Sequence, residues 1–84
     1  MRIYMQTQEA GKSGRRFYHM HIQEDLLEGW TLVKETGYQG QAGKITHQHY
    51  IKWDEAVIAL QHERDKQTRR GYQVVFVEGQ ASAP

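Results

Sequence analysis

Cysteine is absent from this chain of 84 residues. That excludes disulfide staples, thiolate metal sites and cysteine nucleophiles. A surplus of either charge is absent too: 11 basic residues face 10 acidic ones, for a net charge of +1. The balance holds along the chain, with five of each sign in residues 1–42 and six basic against five acidic in residues 43–84. No global field exists to hold nucleic acid, so binding of that kind needs a local patch. Long apolar runs are missing as well. The longest, Ala56–Leu60 and Val74–Val77, fall far short of a membrane span. The N-terminal MRIYMQTQ has no apolar core of signal-peptide length. The expectation is a soluble, cytoplasmic protein without a membrane partner.

A chain of this length makes one domain, residues 1–84. It buries only about 60% of the surface its unfolded form exposes, so stability rests on a thin core, with self-association as a natural supplement.

The alternation of side chains predicts most of the elements. Residues 2–8 read as a strand with Ile3, Met5 and Thr7 on one face. Residues 9–14 form a Gly- and Ser-containing loop. RFYHMHIQ, residues 16–23, is a clearer strand: Tyr18, Met20 and Ile22 make its core face, opposite Phe17, His19 and His21. A polar turn with two leucines, residues 24–29, leads to the strand WTLVKE, residues 30–35. A glycine loop, Gly37 to Gly43, joins it to ITHQHYIKW, residues 45–53, as an antiparallel hairpin.

Residues 54–70 predict one helix. Asp54 serves as N-cap, Ala56, Val57 and Leu60 as the buried stripe, and Asp65 pairs with Arg69 four residues on. Lys66, Arg69 and Arg70 suit the negative end of the helix dipole, and Gly71 suits a left-handed C-cap. YQVVFVE, residues 72–78, is a last strand, apolar on both faces and so read as central or covered on both sides. Residues 79–84 form a frayed tail. Grouped strands and one late helix imply an α+β fold with a mainly antiparallel sheet of about five strands.

Four features invite a chemical reading. The glycine loop has Gly37, Gly40 and Gly43 at a spacing of three. It is not a phosphate loop, because phosphate loops feed a helix N-terminus and this one feeds a strand. Gly11-Lys12-Ser13 resembles the tail of a Walker loop, but Gln6 stands where its first glycine belongs. The simple reading of the loop is positive φ in a hairpin turn. The functional reading is close approach of a ligand, with Lys34, Tyr38, Gln41 and Lys44 at the rim.

The densest basic cluster is Arg64, Lys66, Arg69 and Arg70, which Arg15 and Arg16 would extend. Dipole compensation and solubility account for it; a phosphate-contacting patch is the alternative. Two His-x-His pairs, His19/His21 and His47/His49, each point to one strand face. Together they would supply four nitrogens for a zinc ion; the plainer reading is a half-covered polar face. The second pair shares its face with Ile45 and Ile51, which predicts partial burial. No catalytic constellation is present: Ser13 and Ser82 have no base placed beside them, and Glu24, Asp25 and Glu28 read as solvated turn residues. No cofactor is expected.

Taken in order, Phe17-Tyr18, the run EDLLEGWTLV, Gly37, Gly40, Glu55-Ala56 and the GYQVVFVE ending resemble the WGR domain over about residues 15–77. Aligned on Trp30-Thr31-Leu32-Val33, the Trp-Gly-Arg signature falls on Thr36-Gly37-Tyr38, so only its glycine remains. The resemblance implies an antiparallel sheet with one helix. It also implies a non-catalytic, DNA-binding role like that of the similar domain in poly(ADP-ribose) polymerases. The residues expected at such an interface are Arg15, Arg16, Lys34, Gly37, Tyr38, Gln41, Lys44, Arg69 and Arg70, with Tyr38 as the aromatic platform. Position 38 lies two residues after the signature tryptophan, and shares its face only if the strand runs on past Gly37. The alternative is a domain that has lost DNA contact and pairs with another protein or with itself.

Overall fold

The computed structural model describes residues 1–7 and 14–79. Its elements run β1 (Arg2–Thr7), β2 (Arg16–Glu24), β3 (Trp30–Tyr38), β4 (Lys44–Tyr50), α1 (Trp53–Arg69) and β5 (Tyr72–Glu78). The five strands form one antiparallel sheet in the order β4-β3-β2-β1-β5. Gln8, the Gly11-Lys12-Ser13 motif, Ser82 and most of the expected tail lie outside the described residues.

The helix covers one face of the sheet. Ile3, Met5, Tyr18, Met20, Ile22 and Leu32 point toward it, as their alternation requires. Trp53, Ala56, Val57 and Leu60 answer from α1, and Trp30 meets Trp53 edge-on with ring centres 4.7 Å apart. Ile3, Met5, Met20, Leu32 and Leu60 are fully buried. No helix among the described residues is long and apolar enough to cross a membrane.

Trp53 begins the helix rather than ending β4, and the N-cap is Lys52 rather than Asp54. The cause is Glu55, whose carboxylate accepts the Lys52 backbone N–H at 3.2 Å while the Lys52 carbonyl accepts the Ala56 N–H. At the other end Gly71 has φ +100°, as the C-cap reading expected. Asp65 binds its neighbour Arg64 at 3.0 Å rather than Arg69.

The hairpin also departs from expectation. β3 runs on through Thr36-Gly37-Tyr38, and only residues 39–43 form the connection. Of its three glycines Gly40 alone takes positive φ, +84°. Gly37 and Gly43 are there for space: a Cβ on Gly37 would stand 3.1 Å from the Gly43 Cα, and one on Gly43 would stand 2.9 Å from the Thr36 carbonyl.

The last strand is an edge, not the centre. β5 pairs with β1 alone, and its apolar residues Val74–Val77 are exposed. Its apolar character on both faces therefore does not report burial.

Candidate nucleic-acid interface

The strand register decides which basic residues meet. Arg16 lies opposite Tyr38, Tyr18 opposite Thr36, and Met20 opposite Lys34; across β3, Thr36 faces Lys44. Residues two apart share a face, so Arg16, Lys34, Tyr38 and Lys44 all lie on the side that carries the helix. Because β3 stays extended through Gly37, Tyr38 shares the face of Thr36, and Thr36 is occupied in donating its hydroxyl to the Phe17 carbonyl at 3.2 Å.

Here the C-terminal half of α1 overhangs the sheet and leaves a cleft whose lining includes Arg16, Tyr18, Lys66, Arg70 and Tyr72. The Arg16 guanidinium stands 5.8 Å from the centre of the Tyr38 ring and 5.9 Å from that of Tyr72. Both separations are within reach of a cation–π contact. Tyr38 remains exposed.

Inside the cleft is one carboxylate, Glu63. It accepts the Tyr18 hydroxyl at 2.6 Å and the Gln67 amide at 3.2 Å. Burial alone pushes the Glu63 carboxyl up; the Tyr18 hydroxyl, the Lys34 charge, the Gln67 amide and the Lys66 charge together outweigh it and hold it below its ordinary value. The Tyr18 hydroxyl moves the other way: burial first, then its bond to Glu63, raise it far above the usual range for a tyrosine. Glu63 is thus a fixed anion at physiological pH. Among the described residues the ion pairs are Arg64 with Asp65 and His49 with Asp25, so Arg16, Lys34, Lys44, Lys66 and Arg70 stand in none of them.

Five of the nine expected residues therefore gather on this side: Arg16, Lys34, Tyr38, Lys44 and Arg70. The other four do not. Arg15 is directed away, its guanidinium donating to the Thr7 carbonyl at 3.2 Å. Gly37 packs toward the Phe17 ring, and the Gln41 N–H closes the hairpin turn on the Tyr38 carbonyl at 3.1 Å. Arg69 does not line the cleft but an adjoining groove, with His62, Glu63, Asp65 and Lys66. Lys66 and Glu63 were missing from the expected set. Their signal was the helical spacing 63, 66, 67, 70, which places one carboxylate, one amide and two cations on a single stripe.

The histidine pairs cannot share one metal ion. They lie on the sheet face away from the helix, but β3 separates them: His21 faces Val33, which faces His47. Two strand spacings set the backbones of β2 and β4 about 10 Å apart. Among the described residues no group of three or more histidines, aspartates or glutamates is placed to hold a metal. His47 and His49 are exposed, not partly buried. His49 instead binds Asp25 at 2.9 Å and the Glu28 carbonyl at 2.7 Å, and Asp25 also accepts the Thr31 hydroxyl at 2.8 Å. Asp25 is therefore an engaged turn residue rather than a merely solvated one.

No curated protein and no solved structure matches the chain. The WGR domain family model matches residues 1–78, which takes in β1 as well as the residues that carried the resemblance. With that match and a five-stranded antiparallel sheet covered by one late helix, the chain belongs to the WGR domain family.

Proposed function

We propose that this domain is a non-catalytic DNA-binding module whose contact surface is the helix-side cleft and its rim. The observation that carries the reading is that Arg16, Lys34, Lys44 and Arg70 lie on the same side of the sheet as the accessible ring of Tyr38, which Arg16 approaches, on a chain with almost no net charge. Membership of the WGR family supports it. The cations contact phosphate, and Tyr38 stacks against a sugar or an unpaired base.

The arrangement also offers a substitute for the lost signature. The family motif carries an aromatic and an arginine two residues apart. Here the aromatic is Tyr38, and the arginine is Arg16, directly across the β2–β3 ladder and packed on the ring. The same two chemical groups return, the aromatic two residues later on β3 and the arginine on β2. Lys66 adds charge to the lining of the cleft, and the Lys34 and Lys66 charges help keep the Glu63 carboxyl ionised.

Titration of labelled nicked, blunt and single-stranded DNA at two salt concentrations tests this. Four phosphate contacts predict a slope of log affinity against log salt near about −3.6 on duplex DNA. Absence of binding at low salt overturns the proposal, and so does binding that Arg16→Ala and Lys34→Ala leave unchanged.

A further inference from the structure

We propose that β5 is a self-association edge: the outer side of Tyr72–Glu78 pairs antiparallel with the same strand of a second copy, extending one sheet into the other. The two edges of this sheet are built differently. β4 displays Lys44, His47 and His49 to solvent, and charged, polar side chains of that kind keep edges from pairing. β5 displays Val74, Val75, Phe76 and Val77, each between 43% and 55% exposed, with no lysine, arginine or proline in the strand. Its one irregularity is a bulge at Val75, where the register with β1 slips between Tyr4 and Met5.

The bulge makes the strand self-complementary. Through their β1 partners, Val74 and Val77 share the helix side, while Gln73 and Glu78 share the opposite side. A two-fold axis between Val75 and Phe76 sets Val74 against Val77 and Gln73 against Glu78, so both of these pairs lie on one face, while Val75 and Phe76, where the bulge sits, meet at the axis. No like charges meet, and each Gln73 amide can donate to a Glu78 carboxylate. Centring the axis on Val75 itself would oppose side chains from opposite faces. A second face-matched register sets Val77 against Tyr72, a ring already only 4% exposed, and leaves Val74 without its partner valine; registers centred on Gln73 or Val77 match faces over fewer pairs. A net charge of +1 per chain sets no electrostatic barrier between copies.

The absence of cysteine makes the test clean. Val74→Cys and Val77→Cys are prepared separately and oxidised mildly, alone and as an equimolar mixture. The expected result is a disulfide dimer in the mixture, holding one chain of each kind, and monomer from each variant alone. Sedimentation equilibrium of the unmodified chain should show a reversible dimer, which Val75→Lys combined with Val77→Lys abolishes. A mixture that does not cross-link, or a chain that stays monomeric at every concentration, overturns the proposal. The cross-link is read without DNA, so its outcome is independent of the DNA titration.

Discussion

Arg16 and Tyr38 illustrate what one residue step decides in a strand. Arg15 and Arg16 are adjacent in sequence and equal in charge, yet only Arg16 lies against the Tyr38 ring, while Arg15 donates to the Thr7 carbonyl. Parity in β2 was legible and favoured Arg16, since it shares the face of Tyr18 and Met20. The end of β3 was not legible, because Thr36-Gly37-Tyr38 lacks the apolar alternation that marks a strand. Rotation about the helix also hid the difference between Arg69 and Arg70. The measurable consequence is a division of labour. Tyr38→Ala should weaken DNA binding by about 1–3 kcal/mol and leave the salt slope unchanged, as loss of a stacking ring does. Arg16→Ala should lower the slope by about one and weaken all sequences alike. Fluorescence anisotropy across a salt series separates the two.

At the scale of elements, the β3–β4 hairpin uses its glycines in two ways, and substitution distinguishes them. A Cβ on Gly40 would meet nothing within 4 Å, so Gly40→Ala carries only the strain of φ +84°; the cost is about 1 kcal/mol. A Cβ on Gly43 would crowd the Thr36 carbonyl and the Glu35 side chain, so Gly43→Ala should cost about 1–3 kcal/mol although its φ is ordinary. Urea unfolding of both variants checks the order. The spacing of three suggested one role for all three glycines; closeness between strands, which a sequence does not display, assigns two of them another.

The β2–β3 turn sets up a similar contrast. Leu26 and Leu27 are entirely exposed, whereas Asp25 ties Thr31 and His49 together beneath them. Leu26→Ser with Leu27→Ser should change stability by less than about 0.5 kcal/mol per site. Asp25→Ala should cost about 1–2 kcal/mol by leaving the buried Thr31 hydroxyl without its acceptor. The midpoint of a thermal melt distinguishes these outcomes.

Over the whole molecule, two groups that titrate below neutral pH, His19 and Glu63, shift in one direction, while the Tyr18 and Tyr50 hydroxyls are raised. His19 is held below its ordinary value of 6.5, first by burial and then by the Arg2 and His21 charges, and Glu63 is held below 4.5. In each case the unfolded chain binds the proton more readily than the folded one, so stability rises with pH. The contribution of these two groups should be complete above pH 6.5, decline as pH falls from 6.5 through the lowered His19 value, and decline again from 4.5 through that of Glu63. His19→Gln should flatten the upper step and leave the lower one. Denaturant midpoints measured between about pH 7.5 and 3 would show both steps.

The pairing of β1 with β5 brings the ends of the described chain together: a Cβ on Gly79 would stand 3.0 Å from the Cα of Met1. A ring drawn through the connectivity would therefore need almost no added length to close. Such a domain can be spliced into a surface loop of a host protein without prising the host's flanking strands apart. It can also be reopened elsewhere, and the two leucines between β2 and β3 mark the natural place to cut, since nothing in the core depends on them.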